Sequence, residues 1–285
     1  MTAVTADRSR WFVSTEWLAD RLQAPDIVVV DASWYLPTMN RNAAAEYAAG
    51  HIPGAVRFDI DTIADTSSGL PHMLPKPEAF SSAVRKLGIG DGSTIVIYDG
   101  AGLFSAPRVW WTFRVFGARD VYILDGGLPQ WKAEGRPLSD AVPVRQPSHF
   151  TARLDHSMVR DAGDVKAALA SGSAKVVDAR PADRFRGDAP EPRPGVKSGH
   201  MPGAANVPFT QVVDAGRLAA PDKLAAAFEA AGVDLDEPVI TSCGSGVSAA
   251  ILWLALETLG QHQLGLYDGS WAEWGSRDDT PIVSG

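Results

Sequence analysis

Short runs of Val and Ile bounded by Asp and Gly recur along the chain, separated by longer Ala- and Leu-rich segments of amphipathic character. Val29-Val30-Asp31-Ala32, Thr94-Ile95-Val96-Ile97-Tyr98, Val176-Val177-Asp178-Ala179 and Pro238-Val239-Ile240-Thr241-Ser242 are the clearest of the runs. Near-continuous apolar character is what a strand shows when both faces of its sheet are covered. Strands that alternate with helical segments predict an α/β fold, a parallel sheet flanked by helices on both faces. In such folds chemistry belongs to loops at the carboxyl ends of strands.

The pattern occurs twice. Val29 to Ala32 returns as Val176 to Ala179, and Gly50-His51-Ile52-Pro53-Gly54-Ala55 as Gly199-His200-Met201-Pro202-Gly203-Ala204. Thr94 to Tyr98 pairs with Pro238 to Ser242, and Leu124-Asp125-Gly126-Gly127 with Tyr267-Asp268-Gly269-Ser270, at offsets of 143 to 149 residues. So long a period means two copies of one domain rather than a solenoid. The expected organisation is a first domain over 8–140, a linker over 141–156 marked by Pro143, Gln146, Pro147 and Ser148, and a second domain over 157–285.

The 285 residues suit two cores of about 140 residues each. A formal charge of −8 argues against nucleic acid or an anionic membrane as a partner. No run approaches the roughly 20 apolar residues of a membrane span, and Met1 to Arg8 lack the features of a secretory leader. A single cysteine excludes an intramolecular disulfide and a cysteine-cluster metal site, and suits a reducing cytoplasm. No metal or organic cofactor is implied.

That cysteine, Cys243, ends one of the apolar runs, and Gly244-Ser245-Gly246-Val247-Ser248 follows it before the helix-forming stretch Ala249 to Leu256. Strand, small-residue loop and helix aim backbone N–H groups and a helix start at the loop, a setting that stabilises an anion. A thiolate is the occupant expected here. Aligned on the offset of the last repeat pair, Cys243 falls opposite Gly100, so the first copy has no sulfur nucleophile. The first copy instead holds Asp59-Ile60-Asp61 and His72-Met73-Leu74-Pro75, with no acid pair or His at the matching places of the second. Duplicated residues such as His51 and His200 are expected to serve the fold, and unduplicated ones the chemistry.

The tandem halves, the Gly199 to Ala204 motif and the Cys243 loop resemble the two-domain rhodanese superfamily over roughly Trp11 to Ile282. Within it, Cys-Gly-Ser-Gly-Val-Ser is similar to the 3-mercaptopyruvate-using members, whereas thiosulfate-preferring members carry basic residues after the Cys. The resemblance implies tandem rhodanese-like domains and a sulfurtransferase that takes sulfur from a small anionic donor onto Cys243. An acceptor thiol, such as a thioredoxin-like protein or a low-molecular-weight thiol, or cyanide, would then take it. By the same resemblance Asp61 orients His72, and His72 polarises Ser245, a generalised triad. Arg184 and Arg193 would grip the donor, with Gly244, Gly246, Val247 and Ser248 around it. Arg186 is an alternative to Arg184, or else an ion-pair partner of Asp188 or Glu191. Trp271 and Trp274 read as core, with Trp271 as a second candidate for a pocket wall.

Other cysteine chemistries fit less well. A cysteine phosphatase needs an Arg six positions after the nucleophile, where Ala249 stands, and a nucleophile elbow needs Gly where Thr241 stands. A thiosulfate-specific enzyme and a non-catalytic sulfur carrier remain as rivals.

Overall fold

A computed structural model describes residues 10–285. The expected start of the first domain at residue 8 and the Met1 to Arg8 segment lie outside the described residues. In the first half, β1 (Phe12–Val13), β2 (Ile27–Asp31), β3 (Val56–Arg57), β4 (Thr94–Tyr98) and β5 (Val121–Leu124) form a sheet ordered β1-β5-β4-β2-β3. In the second half come β6 (Val159–Arg160), β7 (Lys175–Asp178), β8 (Ala205–Asn206), the hairpin β9 (Val213–Asp214) and β10 (Arg217–Leu218), then β11 (Val239–Ser242) and β12 (Leu264–Tyr267). Its sheet runs β6-β12-β11-β7-β8, the same order, and every pairing in both sheets is parallel. The duplication is therefore one of topology as well as of sequence.

Alternation along the strands decides which layer each side chain joins. Ile27 and Val29 of β2 pack outward against Leu18, Leu128 and Trp131, while Val28 and Val30 face a central layer. In the second half Val176 and Ile240 join Trp271 and Trp274 outside, and Val177 and Val239 face the same central layer. Two helices fill that layer. Ala249–Thr258 is buried at every position, and Ala106–Val115 at all but Arg114. A helix apolar around its circumference belongs inside a molecule, and these two meet with the Trp111 and Trp253 rings edge to face at 6.2 Å. The halves thus share one continuous core.

The repeated histidines behave alike. His51 stacks on Tyr47 and its Nδ1 lies 2.8 Å from the Tyr47 carbonyl; His200 stacks on Phe185, with Nδ1 2.9 Å from the Phe185 carbonyl. Each also bridges to a distant strand-like segment, His51 to Ser139 and His200 to Val283. They pin the ends of their own half. Residues 141–155 contain no helix or strand and run along the first half, with Phe150 buried and the amide of Asp91 bonded to the carbonyl of His149.

Strand register corrects the alignment of the two loops. Asp31 pairs with Tyr98, and Asp178 with Ser242, so the residue opposite Cys243 is Asp99 and not Gly100. The first loop, from Asp99 to the helix cap Ser105, is one residue longer than that from Cys243 to the cap Ser248, which is why counting back from the later repeat pair misses by one.

Candidate active site

Cys243 follows the last residue of β11 and is 1% exposed. Its N–H donates to Ser270 Oγ at 3.2 Å and its carbonyl accepts from the Trp271 amide at 2.8 Å, which fixes the backbone beneath the sulfur. The chain then turns through Gly246, whose φ of +78° is a left-handed conformation that glycine adopts without strain. A Cβ there would also lie 2.7 Å from the Arg108 guanidinium. Among the described residues the backbone N–H groups from Gly244 to Ala249 make no hydrogen bond. Unpaired amides in a largely buried loop are costly unless an acceptor comes to them.

The first half shows what such a loop holds. Asp99, in the place of Cys243, accepts from the amides of Ala101, Phe104, Ser105 and Ala106 at 2.7 to 2.9 Å. The same strand-loop-helix unit therefore closes on a carboxylate when the side chain supplies one. Where Cys243 stands in the place of Asp99, no carboxylate fills the loop, and the sulfur is the side-chain atom that the strand end presents there. The first loop is otherwise filled, since a Cβ on Gly100 would lie 2.1 Å from the Tyr35 hydroxyl.

Across the domain boundary, Ser245 Oγ lies 3.0 Å from His72 Nδ1, and His72 Nε2 lies 2.9 Å from Asp61 Oδ1. Trp34 Nε1 donates to the other Asp61 oxygen at 3.1 Å, and its ring meets the imidazole edge to face at 4.9 Å. With Nε2–H directed at a carboxylate, the neutral imidazole leaves Nδ1 as an acceptor for the Ser245 hydroxyl. The hydrogen bond from His72 holds the Asp61 carboxyl below its usual range. The imidazole is buried while Asp61 is 58% exposed at its side chain.

His72 has a φ of +60°, an uncommon conformation for a residue with a Cβ, and a buried ion pair secures it. Arg108 Nη2 donates to the His72 carbonyl at 2.6 Å and to Asp268 Oδ1 at 2.6 Å, and Asp268 Oδ2 accepts from the Leu74 amide at 2.7 Å. Arg108 belongs to the first half and Asp268 to the second. Asp125 of the first half is paired in turn with Arg217 of the second, so the duplicated Asp-Gly turns each take an arginine from the other half.

A cavity of about 70 Å³ opens beside the sulfur, bordered by Trp34, Phe104, Phe209, Arg180, Arg184 and Arg193 together with Gly244, Ser245, Val247 and Ser248. Gly246 is not on its wall; it shapes the turn beneath. Arg186 lies outside, paired with Asp188 at 2.7 Å on the surface. Arg184 donates to both oxygens of Glu191, and Arg180 to Glu191 Oε1 at 2.7 Å and to Asp178. Arg193 makes no ion pair or hydrogen bond among the described residues; burial lowers its pKa, opposed by the nearby Cys243 sulfur. Trp271 is core, its ring against the Arg180 guanidinium and its indole N–H bonded to the Lys197 carbonyl. No cluster of His, Cys, Asp and Glu able to hold a metal occurs among the described residues.

The sequence reading did not find Arg180, Glu191, Trp34, Arg108 or Asp268. Arg180 was accessible by its own logic, because Ser33 stands at the matching place after Val-Val-Asp-Ala. Arg108 carried a weaker signal, a charge within an apolar helical run.

A family model for the rhodanese-like domain matches residues 14–134 and 161–277. The chain is 46% identical over 273 residues to the 3-mercaptopyruvate sulfurtransferase of Escherichia coli K12, covering 95% of this chain and 97% of that one. It is 41% identical over 294 residues to the mitochondrial thiosulfate/3-mercaptopyruvate sulfurtransferase 1 of Arabidopsis thaliana, covering 95% and 78%. Among solved structures, that of SseA from Escherichia coli, described as a 3-mercaptopyruvate sulfotransferase, superposes with a TM-score of 0.85 at 45% identity, covering 92% of this chain and 98% of that one.

Proposed function

The chain belongs to the rhodanese family, and from that premise we propose that it is a sulfurtransferase carrying sulfur from 3-mercaptopyruvate, through a persulfide on Cys243, to a thiol acceptor. The observation that carries this reading is the chain of contacts from the Cys243 loop through Ser245 and His72 to Asp61, built from both halves.

The donor's carboxylate and ketone would lie against Arg193 and Arg184, with its sulfur at Cys243. Attack forms the Cys243 Sγ–S bond and breaks the donor's C–S bond, whose electron pair becomes the enolate of pyruvate. Ser245 meets the developing charge and gives its proton to the enolate carbon. The proton is restored through His72, and its net source is the donor's own thiol group. Asp61 keeps the imidazole in the tautomer this relay requires. Pyruvate leaves, and an acceptor thiolate attacks the outer sulfur, so that Cys243 departs as a thiolate. A reducing compartment such as the cytoplasm would keep that thiol free.

Thiosulfate is the lesser donor in this reading, because the residues after the nucleophile, Gly244 and Ser245, bring no positive charge to a dianion. Initial rates on the two donors, read beside the mass of the Cys243 peptide, test both points. Faster turnover on mercaptopyruvate and a gain of one sulfur are expected. A Cys243→Ser protein that still transfers sulfur would overturn the assignment.

A further inference from the structure

We infer that Glu191 sets the charge of the donor this site accepts, by holding Arg180 and Arg184 so that, among the described residues lining the cavity, Arg193 is the cation left for the donor. The inference rests on the sulfurtransferase reading and adds to it a residue that discriminates between donors.

Three arginines border the cavity, which on its face is a site for a multiply charged anion. Their partners change that. Arg180 is joined to Asp178 through Nε and Nη2, and its Nη1 donates to Glu191. Glu191, with its side chain 4% exposed, also takes both donated bonds of Arg184. Two carboxylates thus offset two of the three guanidiniums, and Arg193 stands without a partner among the described residues. A Cys243 thiolate brings the sum to zero before any donor arrives. Of the other charged groups near the sulfur, Arg108 is matched with Asp268, and Asp61, hydrogen-bonded by His72 and Trp34, adds a further negative charge on the far side of the imidazole. A single carboxylate set against Arg193 leaves one net negative charge, whereas a dianion leaves two and brings the second against Glu191 in a poorly solvated site. The site therefore selects singly charged 2-oxo thiols over dianions.

Glu191 acts through Arg184 and does not touch the donor, so it is a positioning residue. Glu191→Gln keeps the shape and one acceptor but removes the charge. With thiosulfate the transfer breaks the S–S bond and releases sulfite with the electron pair, so no proton delivery enters the comparison. The ratio of kcat/KM on thiosulfate to that on mercaptopyruvate is expected to rise about tenfold in E191Q, mainly through a lower KM for thiosulfate. In E191D, which keeps the charge, the ratio should stay within about threefold of the parent. A folded E191Q protein with an unchanged ratio overturns the inference. Should E191Q fail to fold, the unaltered protein decides: methanesulfonate, one charge, should protect Cys243 from alkylation at lower concentration than sulfate, two charges and similar size. Stronger protection by sulfate overturns the inference. Absence of transfer from either donor in the unaltered protein would instead sink the sulfurtransferase reading, while the protection assay would still report the charge preference.

Discussion

Replacing Asp61 by Asn removes a charge from the far end of the His72 relay while leaving Cys243 and its loop untouched. Asp61 accepts from both His72 Nε2 and Trp34 Nε1, at 2.9 and 3.1 Å. A hydrogen bond to an ionised group is worth about 1.5 to 3 kcal/mol, and the exposure of Asp61 argues for the lower end, about tenfold in rate. Asn adds a second effect. Its amide can turn its NH₂ toward Nε2 and stabilise the tautomer with the proton on Nδ1, the wrong nitrogen for taking a proton from Ser245. Together these predict a fall in kcat on mercaptopyruvate of about 10- to 100-fold. Transfer from thiosulfate, whose sulfite leaves without a proton at carbon, should change by less than about threefold. Pyruvate release in steady state and persulfide formation in a single turnover separate the two. Equal loss on both donors would mean that Asp61 supports the fold and not the relay. Acidity gives a further check. Because hydrogen bonding from His72 depresses the Asp61 pKa, the carboxylate's contribution is present above its unfolded value near 4 and is lost as pH falls through its lower folded value. No acid limb from Asp61 is expected above about pH 5.

Arg193→Met should raise KM for mercaptopyruvate by about 10- to 100-fold with a smaller change in kcat, since a charged contact to a carboxylate is lost, whereas Arg186→Met should leave both constants unchanged. The reverse ranking in steady-state kinetics would move donor binding to the surface pair with Asp188. Arg108→Met strands the Asp268 carboxylate in the core and should cost about 3 to 5 kcal/mol in urea unfolding. Arg108→Met combined with Asp268→Leu should regain part of that loss, and strict additivity of the two changes would show that the pair is not coupled.

Much of the fold is legible in the chain because parallel strands buried on both faces leave no polar positions, so Val-Ile runs such as Thr94 to Tyr98 stand out from their surroundings. The Cys243 loop is equally plain, since its glycines and serines suit little else. His72 and Asp61 became visible by subtraction, as residues present in one copy and missing in the other. What stayed hidden depends on distance along the chain. Arg108 and Asp268 are 160 residues apart, and neither carries a local sign of the other. Glu191 reads in sequence as a partner for Arg186, yet the folded chain gives it to Arg180 and Arg184, because the segment after Gly187 folds back over the guanidiniums instead of continuing the helix. One extra residue in the first loop was enough to misplace the counterpart of Cys243, as length differences between diverged copies leave no mark that counting can detect.

Asp99 makes the two halves a controlled comparison that the molecule performs on itself. One copy of the loop has its anion tethered for good, so it is a finished structural part with nothing to exchange. The other carries a side chain whose charge depends on a proton and whose terminal atom, in the proposed reaction, lengthens by one more sulfur, so the same cradle would become a place where cargo stops and moves on. On that reading function separates from architecture at a single strand-end position, and Asp99→Cys combined with removal of the Tyr35 side chain beside Gly100 is the direct route to asking whether the dormant cradle can still hold a charge.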